Sequence, residues 1–328
     1  MNLPEGIDEF LAQAGWGGAT IEPLAGDASF RRYFRVLDGP NSAMLMDASP
    51  PHEDPGPFLD VGHWLSEHGH RAPAIYAQVR ERGLVLLEDF GTDRMRDWLD
   101  DNPDAESETY RKAIDALVDL HRSPPGPFAP YDMEVYQRET ALLPEWFAPA
   151  AGFVADKESY AAAWEEALAP MLERQQPGVT VLRDYHAENI MLLPNGEQGL
   201  IDFQDALVGH PAYDLVSLLQ DARRDVSPEL ERAMLDHYSA QLGVDRQFEA
   251  DYARLGAQRN AKIVGIFARL WKRDDKPRYL EFIPRVWEAL ERDLAHPALA
   301  PVAQWFDANV PQDVRERRGG GLAKEIDE

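Results

Sequence analysis

The chain has 328 residues, 44% hydrophobic and 28% charged, which is ordinary globular composition and enough for one or two domains. Its formal net charge of −25 argues against non-specific binding to nucleic acid or to an anionic membrane, both of which repel such a surface. There is no cysteine, hence no disulfide or thiolate zinc site. No apolar run reaches membrane-spanning length and the N-terminus lacks the parts of a signal peptide, so a cytoplasmic protein is expected.

Residues 6–15 place Ile7, Phe10, Leu11 and Ala14 at helical spacing and predict a short helix. Residues 19–25, 30–36 and 43–46 read as three strands. The turn Gly26-Asp-Ala-Ser29 between the first two can lay backbone N–H groups over phosphates. Arg31, Arg32 and Arg35 give the next strand local positive charge, although taken alone it reads rather as a surface strand with arginines facing water, a preference the motif further along the chain reverses. A proline-rich, acidic loop spans 47–57. Residues 58–69 predict an amphipathic helix with His63, His68 and His70 at its end, as exposed histidines rather than a metal site.

Two more strands, 73–79 and 84–87, lead into Glu88-Asp-Phe-Gly91. From there the pattern is mostly helical: 94–100, 107–122 with Ser107 as its cap, 134–147, 159–174, a helix opening near Asp214 and ending near 221, then 228–242, 248–272 and 276–294. Residues 315–328, glycine-rich and of mixed charge, read as a disordered tail.

The chemistry is concentrated in Val181-Leu-Arg-Asp-Tyr-His-Ala-Glu-Asn-Ile-Met191 and Gly199-Leu-Ile-Asp-Phe-Gln-Asp205. Asn195-Gly196 is a strong hairpin signal, so strands 190–193 and 198–201 should pair. Asp184 and Asn189 then lie on the loop before the hairpin and Asp202 just after it. Phosphoryl transfer needs such a set: Asp184 to orient and deprotonate an acceptor hydroxyl, Asn189 and Asp202 to hold magnesium, a hard cation that takes oxygen ligands. The plainer alternative is a hairpin with ordinary Asp and Asn caps. Asp214, in a helix's first turn, reads as a strut that accepts N–H bonds from this loop.

These motifs, with the later Gly209–Asp214 stretch, resemble the aminoglycoside phosphotransferase and choline kinase family over about residues 20–295. The resemblance implies an α+β, two-lobed protein-kinase-like fold: an N-lobe of residues 1–90 and a mostly helical C-lobe of 91–314, acting as a monomer. Within the family, Gly26-Asp-Ala-Ser-Phe-Arg-Arg-Tyr-Phe-Arg, Met46-Asp-Ala-Ser-Pro-Pro, Gln137-Arg-Glu139 and Gly265-Ile-Phe-Ala-Arg-Leu are similar to the amino-sugar kinases of cell-wall recycling. That implies ATP and Mg2+ as cofactors and transfer to the anomeric hydroxyl of N-acetylmuramate or N-acetylglucosamine. Another small acceptor, such as an aminoglycoside or choline, and a pseudokinase scaffold remain alternatives.

Carried over residue by residue, Asp184 matches the catalytic base, and Asn189 and Asp202 the magnesium ligands. Ser29 and Phe30 match the phosphate-covering loop, and Glu88 and Phe90 the adenine-binding hinge. His186 matches a structural loop histidine of the family, and Arg183 is expected to support the loop. Gln204, Asp205, Arg138, Glu139 and Arg269 are expected near the sugar. Two departures matter. Leu182-Arg183 precedes Asp184 where the family usually has His-Gly. The third strand of the family carries a lysine paired with a helix glutamate, but here Met46 stands at the lysine's place and Asp60 at the glutamate's. An arginine, Arg31 or Arg32, is expected to supply the charge.

Overall fold

The computed structural model describes residues 3–24 and 31–322. The chain forms two compact units, one of residues 1–103 with 188–205, the other of 104–187 with 206–328. Compared with lobes of 1–90 and 91–314, the first unit also takes in a helix near 100 and the 188–205 segment.

The first unit is built on a five-stranded antiparallel sheet in the order β1-β2-β3-β5-β4. Its elements are α1 (Ile7–Gln13), β1 (Thr20–Pro23), β2 (Arg32–Asp38), β3 (Asn41–Asp47), α2 (Gly56–Glu67), β4 (Ile75–Val79), β5 (Leu84–Glu88) and α3 (Met95–Asp101). Successive side chains of a strand alternate between faces. Phe34, Val36, Ala43, Leu45, Leu84 and Leu86 therefore share one face, where α1 buries Ile7, Phe10 and Leu11 against them. Tyr33, Arg35 and Met46 belong to the other face. The expected hairpin forms as Ile190–Leu192 paired with Gln198–Leu200. Its Met191 and Leu193 pack with Phe90. Gly199 is required there, because a Cβ at that position would lie 2.5 Å from the Phe90 ring.

The second unit is helical: α4 (Glu106–Arg122), α5 (Met133–Thr140), α6 (Ala148–Ala150), α7 (Lys157–Arg174), α8 (Ala212–Leu219), α9 (Pro228–Leu242), α10 (Phe248–Asp274), α11 (Ile283–Leu294), α12 (Ala300–Asn309) and α13 (Gln312–Glu316). A strand pair, Val179–Val181 with Leu207–Gly209, was not anticipated; three-residue strands are too short to show a period of two. Local chemistry sets the helix starts. Asp156 caps α7 through the Glu158 and Ser159 amides, and Ser227 caps α9 through the Leu230 amide at 3.1 Å. The expected Ser107 cap is not one: α4 begins at Glu106, with Ala105 as its N-cap.

The single helix expected over 134–147 is divided. α5 ends at Thr140, and Leu143–Phe147 forms a π-helical turn containing Pro144. Proline has no N–H to continue the ladder, so the hydrogen-bond register slips there. Likewise 276–294 splits into a 3₁₀ turn, Pro277–Phe282, and α11, with a proline near the start of each. The expected tail is structured as far as residue 322. Val314 and Leu322 are buried, and Arg315 pairs with Glu291 and Asp307. An apolar residue at each end of a glycine-rich run was enough to dock it. No helix among the described residues is long and apolar enough to cross a membrane.

Candidate active site

In the second unit the catalytic-loop motif is held from beneath by Asp214, which is fully buried in the first turn of α8. Its two oxygens accept the Leu182 amide at 2.7 Å and the Arg183 amide at 2.8 Å. Burial pushes the Asp214 pKa up to about 7, against the pull of these two N–H groups toward the carboxylate. Ser217 adds a bond to the Arg183 carbonyl at 3.2 Å. Arg183 has φ of 71°, a left-handed conformation that costs a non-glycine residue about 1–2 kcal/mol. The clamp on both sides of its peptide makes that conformation tolerable, and the next residue is Asp184.

Asp184 lies in a cationic surrounding. Burial alone would raise its pKa, but Lys262, His186, Arg259 and Arg183 outweigh burial and hold the carboxyl below its ordinary value. His186 is itself buried, which lowers its pKa despite Asp221 and Asp184 nearby. Asp221 also accepts the Ala187 amide at 3.3 Å, so the loop is tethered at both ends.

Glu139 organises the cations around the loop. It is 6% exposed, pairs with Arg183 and with the Lys262 ammonium at 2.9 Å, and accepts from Tyr131 and from Gln258 at 3.1 Å. Burial would raise its pKa, yet Lys262 and Arg183 bring it down to about 2. Expected near the sugar, Glu139 instead has both carboxylate oxygens engaged by the protein. Arg138, one position before Glu139 on α5, is exposed. Lys262, Arg259, Gln258 and Tyr131 escaped the sequence reading. Most of the first half of α10 is buried on every side, so its polar positions there did not stand out as one helix face.

In the first unit, Asn189 and Asp202 flank the hairpin, with the Asn189 amide nitrogen 3.4 Å from an Asp202 oxygen. Gln204 donates to the other Asp202 oxygen at 2.8 Å. Asp205 is exposed. Asp202 also has a left-handed backbone, φ 60°. Such conformations concentrate at functional positions, where the surroundings sustain the strain. Phe203, next in line, anchors the turn by stacking on Phe58 at 5.0 Å.

The arginines of the second strand separate into three roles. Arg31 pairs with Glu53 at 3.3 Å, with side chains only 13% and 19% exposed. Arg32 pairs with Asp47, and its guanidinium lies over Phe34 on the opposite face. Arg35 grips the chain after β5, through Asp89 at 2.7 Å and the Gly91 carbonyl at 3.0 Å. Tyr33 is pushed up to about 12, chiefly by burial, with Arg31, Asp202 and Glu53 as its charged neighbours. Its hydroxyl is 3.5 Å from the Met46 sulfur. Arg35 shares the Met46 face but is committed to the chain after β5, so Arg31 is the arginine that, with Asp202, acts on Tyr33 beside Met46. Asp60, expected as the glutamate equivalent, is instead exposed and pairs with Arg80, because it falls on the solvent side of α2. Glu53 is the carboxylate that meets Arg31, and no spacing rule pointed to it.

At the end of β5, the Glu88 amide donates to the Ala74 carbonyl at 2.8 Å and its carboxylate binds Arg71 at 2.7 Å. The Arg71 guanidinium sits 4.6 Å over the Phe90 ring. His68 and His70 stack on Trp64, at 4.6 and 5.8 Å. Among the described residues no group of three or more His, Cys, Asp or Glu could hold a metal unaided. Ser29 and Phe30 lie outside the described residues.

A profile of the phosphotransferase enzyme family matches residues 20–257. The chain belongs to that family. Among characterised relatives, the N-acetylmuramate/N-acetylglucosamine kinase of Caulobacter vibrioides is 37% identical, over 93% of this chain and 96% of its own length. The protein of the same name from Pseudomonas aeruginosa is 38% identical, over 93% of this chain and 94% of its own. Among solved structures, the choline kinase LicA from Streptococcus pneumoniae superposes with a TM-score of 0.62 at 16% identity, over 90% of this chain and 97% of that one. The ADP-bound aminoglycoside phosphotransferase APH(2'')-Ib gives 0.61 at 16% identity, over 88% and 97%. At that identity the likeness speaks for the fold, and the expected kinase-like α+β fold is borne out.

Proposed function

We propose that this chain transfers the γ-phosphoryl group of ATP to the anomeric hydroxyl of N-acetylmuramate and N-acetylglucosamine. The observation that carries the reading is an ionised Asp184 on a loop clamped by Asp214, in a chain 37–38% identical to kinases named for these two sugars. Choline and aminoglycosides are named for solved structures at 14–20% identity, which speak for the fold.

In the proposed step Asp184 takes the proton of the acceptor hydroxyl as its oxygen attacks the γ-phosphorus. The bond from that phosphorus to the β–γ bridging oxygen breaks, and ADP leaves. An anomeric hydroxyl is more acidic than an ordinary alcohol, so a carboxylate suffices as base. Catalysis of this kind is mostly positioning and charge neutralisation. Asn189 and Asp202 would hold magnesium, which when bound neutralises phosphate charge. Their donor chemistry fits, since a carboxylate and an amide offer the oxygens a hard cation takes, with phosphates and water completing its shell. Arg31, anchored by Glu53, would contribute the phosphate-binding charge that Met46 cannot. Glu88 and Phe90 would meet adenine through their backbone. The test is ADP release with each sugar, and the product position read by phosphorus NMR.

A further inference from the structure

The cations of α10 are not scattered. At 3.6 residues per turn, Arg259, Lys262, Arg269 and Arg273 fall on one stripe of the helix. Between positions 261 and 268, Ala261, Ile263, Val264, Gly265, Phe267 and Ala268 are buried. Lys262 and Ile266 are partly exposed, Arg269 is half-buried and Arg273 exposed, so the stripe opens toward its C-terminal end while Arg259 is buried. Its first end is tied to the catalytic loop, since Arg259 and Lys262 are among the cations that hold Asp184 ionised.

The other end is different. Arg273 makes a two-pronged pair with Asp274, 2.8 Å on each arm. Arg269, half-buried, makes no ion pair or hydrogen bond among the described residues, and its Nε is shielded from water without an acceptor. Burial, then the like charge of Arg273, press its pKa down against the weaker pull of the Asp274 carboxylate, which Arg273 already engages. A guanidinium with an Nε that lacks an acceptor has hydrogen-bonding capacity left for an anion, and its planar fork suits a carboxylate in two-point contact.

We infer that Arg269 is a specificity-determining residue that binds a carboxylate on the acceptor. This rests on the sugar-kinase reading above. Of the two amino sugars only N-acetylmuramate carries a carboxylate, on its lactyl ether; N-acetylglucosamine has a hydroxyl at that carbon. Arg269 stands seven positions beyond Lys262, about 10 Å of rise, a spacing comparable to a sugar ring with its substituents.

The experiment is steady-state kinetics of the full chain with both sugars at saturating magnesium–ATP, for wild type, R269Q and R269K. The readout is the ratio of kcat/KM for N-acetylmuramate to that for N-acetylglucosamine. The expected result is a fall of roughly 10- to 100-fold in R269Q, the range for a lost charged hydrogen-bonding pair, carried by KM and partly restored in R269K. An unchanged ratio in R269Q overturns the inference, even where both activities decline together. Should R269Q not fold, wild type is assayed with the methyl ester of N-acetylmuramate. A KM for the ester equal to that for the acid overturns the inference, and a KM raised about tenfold or more supports it. Wild type active on N-acetylglucosamine alone overturns this inference and leaves the kinase reading standing. Wild type active on neither sugar overturns both.

Discussion

Glu139 is the residue whose loss should be felt most widely. Its carboxylate is buried and serves four partners, Arg183, Lys262, Tyr131 and Gln258. The folded protein holds its pKa at about 2 against an ordinary 4.5. At about 1.4 kcal/mol per unit that shift represents about 3 kcal/mol of stability at neutral pH. E139Q keeps the shape, removes the charge, and leaves Lys262 and Arg183 buried without their counter-ion. Removing one partner of a buried pair costs about 3–5 kcal/mol, a large part of an ordinary domain's margin.

Urea unfolding of wild type and E139Q at neutral pH measures the gap. A depressed carboxylate stabilises the fold above its unfolded pKa and loses that contribution as pH falls through the folded one. The gap should therefore be full above pH 4.5 and narrow as pH falls toward 2. Turnover should fall too, because Arg183 adjoins Asp184. A gap below about 1 kcal/mol, the scale of an exposed ion pair, would refute the reasoning.

The other predictions concern single contacts. D184N should retain nucleotide binding and lose about 10²- to 10⁴-fold in kcat; near-normal turnover would remove Asp184 from the chemistry. R259Q takes away one cation that holds Asp184 ionised, so the acid limb of the pH–kcat profile should move to higher pH, and an unmoved limb would contradict that role. R31A should raise the KM for ATP about tenfold, the scale of one charged contact, whereas R32A should act on stability through Asp47; equal ATP affinities in R31A and wild type would discard the Arg31–Glu53 assignment. G265A puts a Cβ 2.3 Å from the Leu142 carbonyl carbon, where backbone must move, and should cost about 1–3 kcal/mol by thermal melting; an unchanged Tm would show that the π-helical turn yields freely.

Much of this was legible because the informative residues are local in sequence. The Asn195-Gly196 turn pointed to the hairpin that forms, and the Asp184, Asn189 and Asp202 spacing pointed to the chemistry proposed above. Helices with strong periodicity or cap signals, such as α9, came out at their expected bounds. Proline effects on hydrogen-bond register did not, as the division at Pro144 shows. Long-range pairing was invisible. Glu53 meets Arg31 across 22 positions, and Glu139 meets Lys262 across 123, with no spacing rule to join them. Glu139 therefore read as a sugar ligand, and Asp60 as the partner of a missing lysine.

The most direct test of the central claim is turnover with magnesium–ATP on N-acetylmuramate, N-acetylglucosamine, glucose, choline and kanamycin, with the product identified by phosphorus NMR. The account predicts anomeric phosphate on the two N-acetyl sugars, lost in D184N. Turnover confined to choline or kanamycin, or a phosphate at another sugar position, would contradict it.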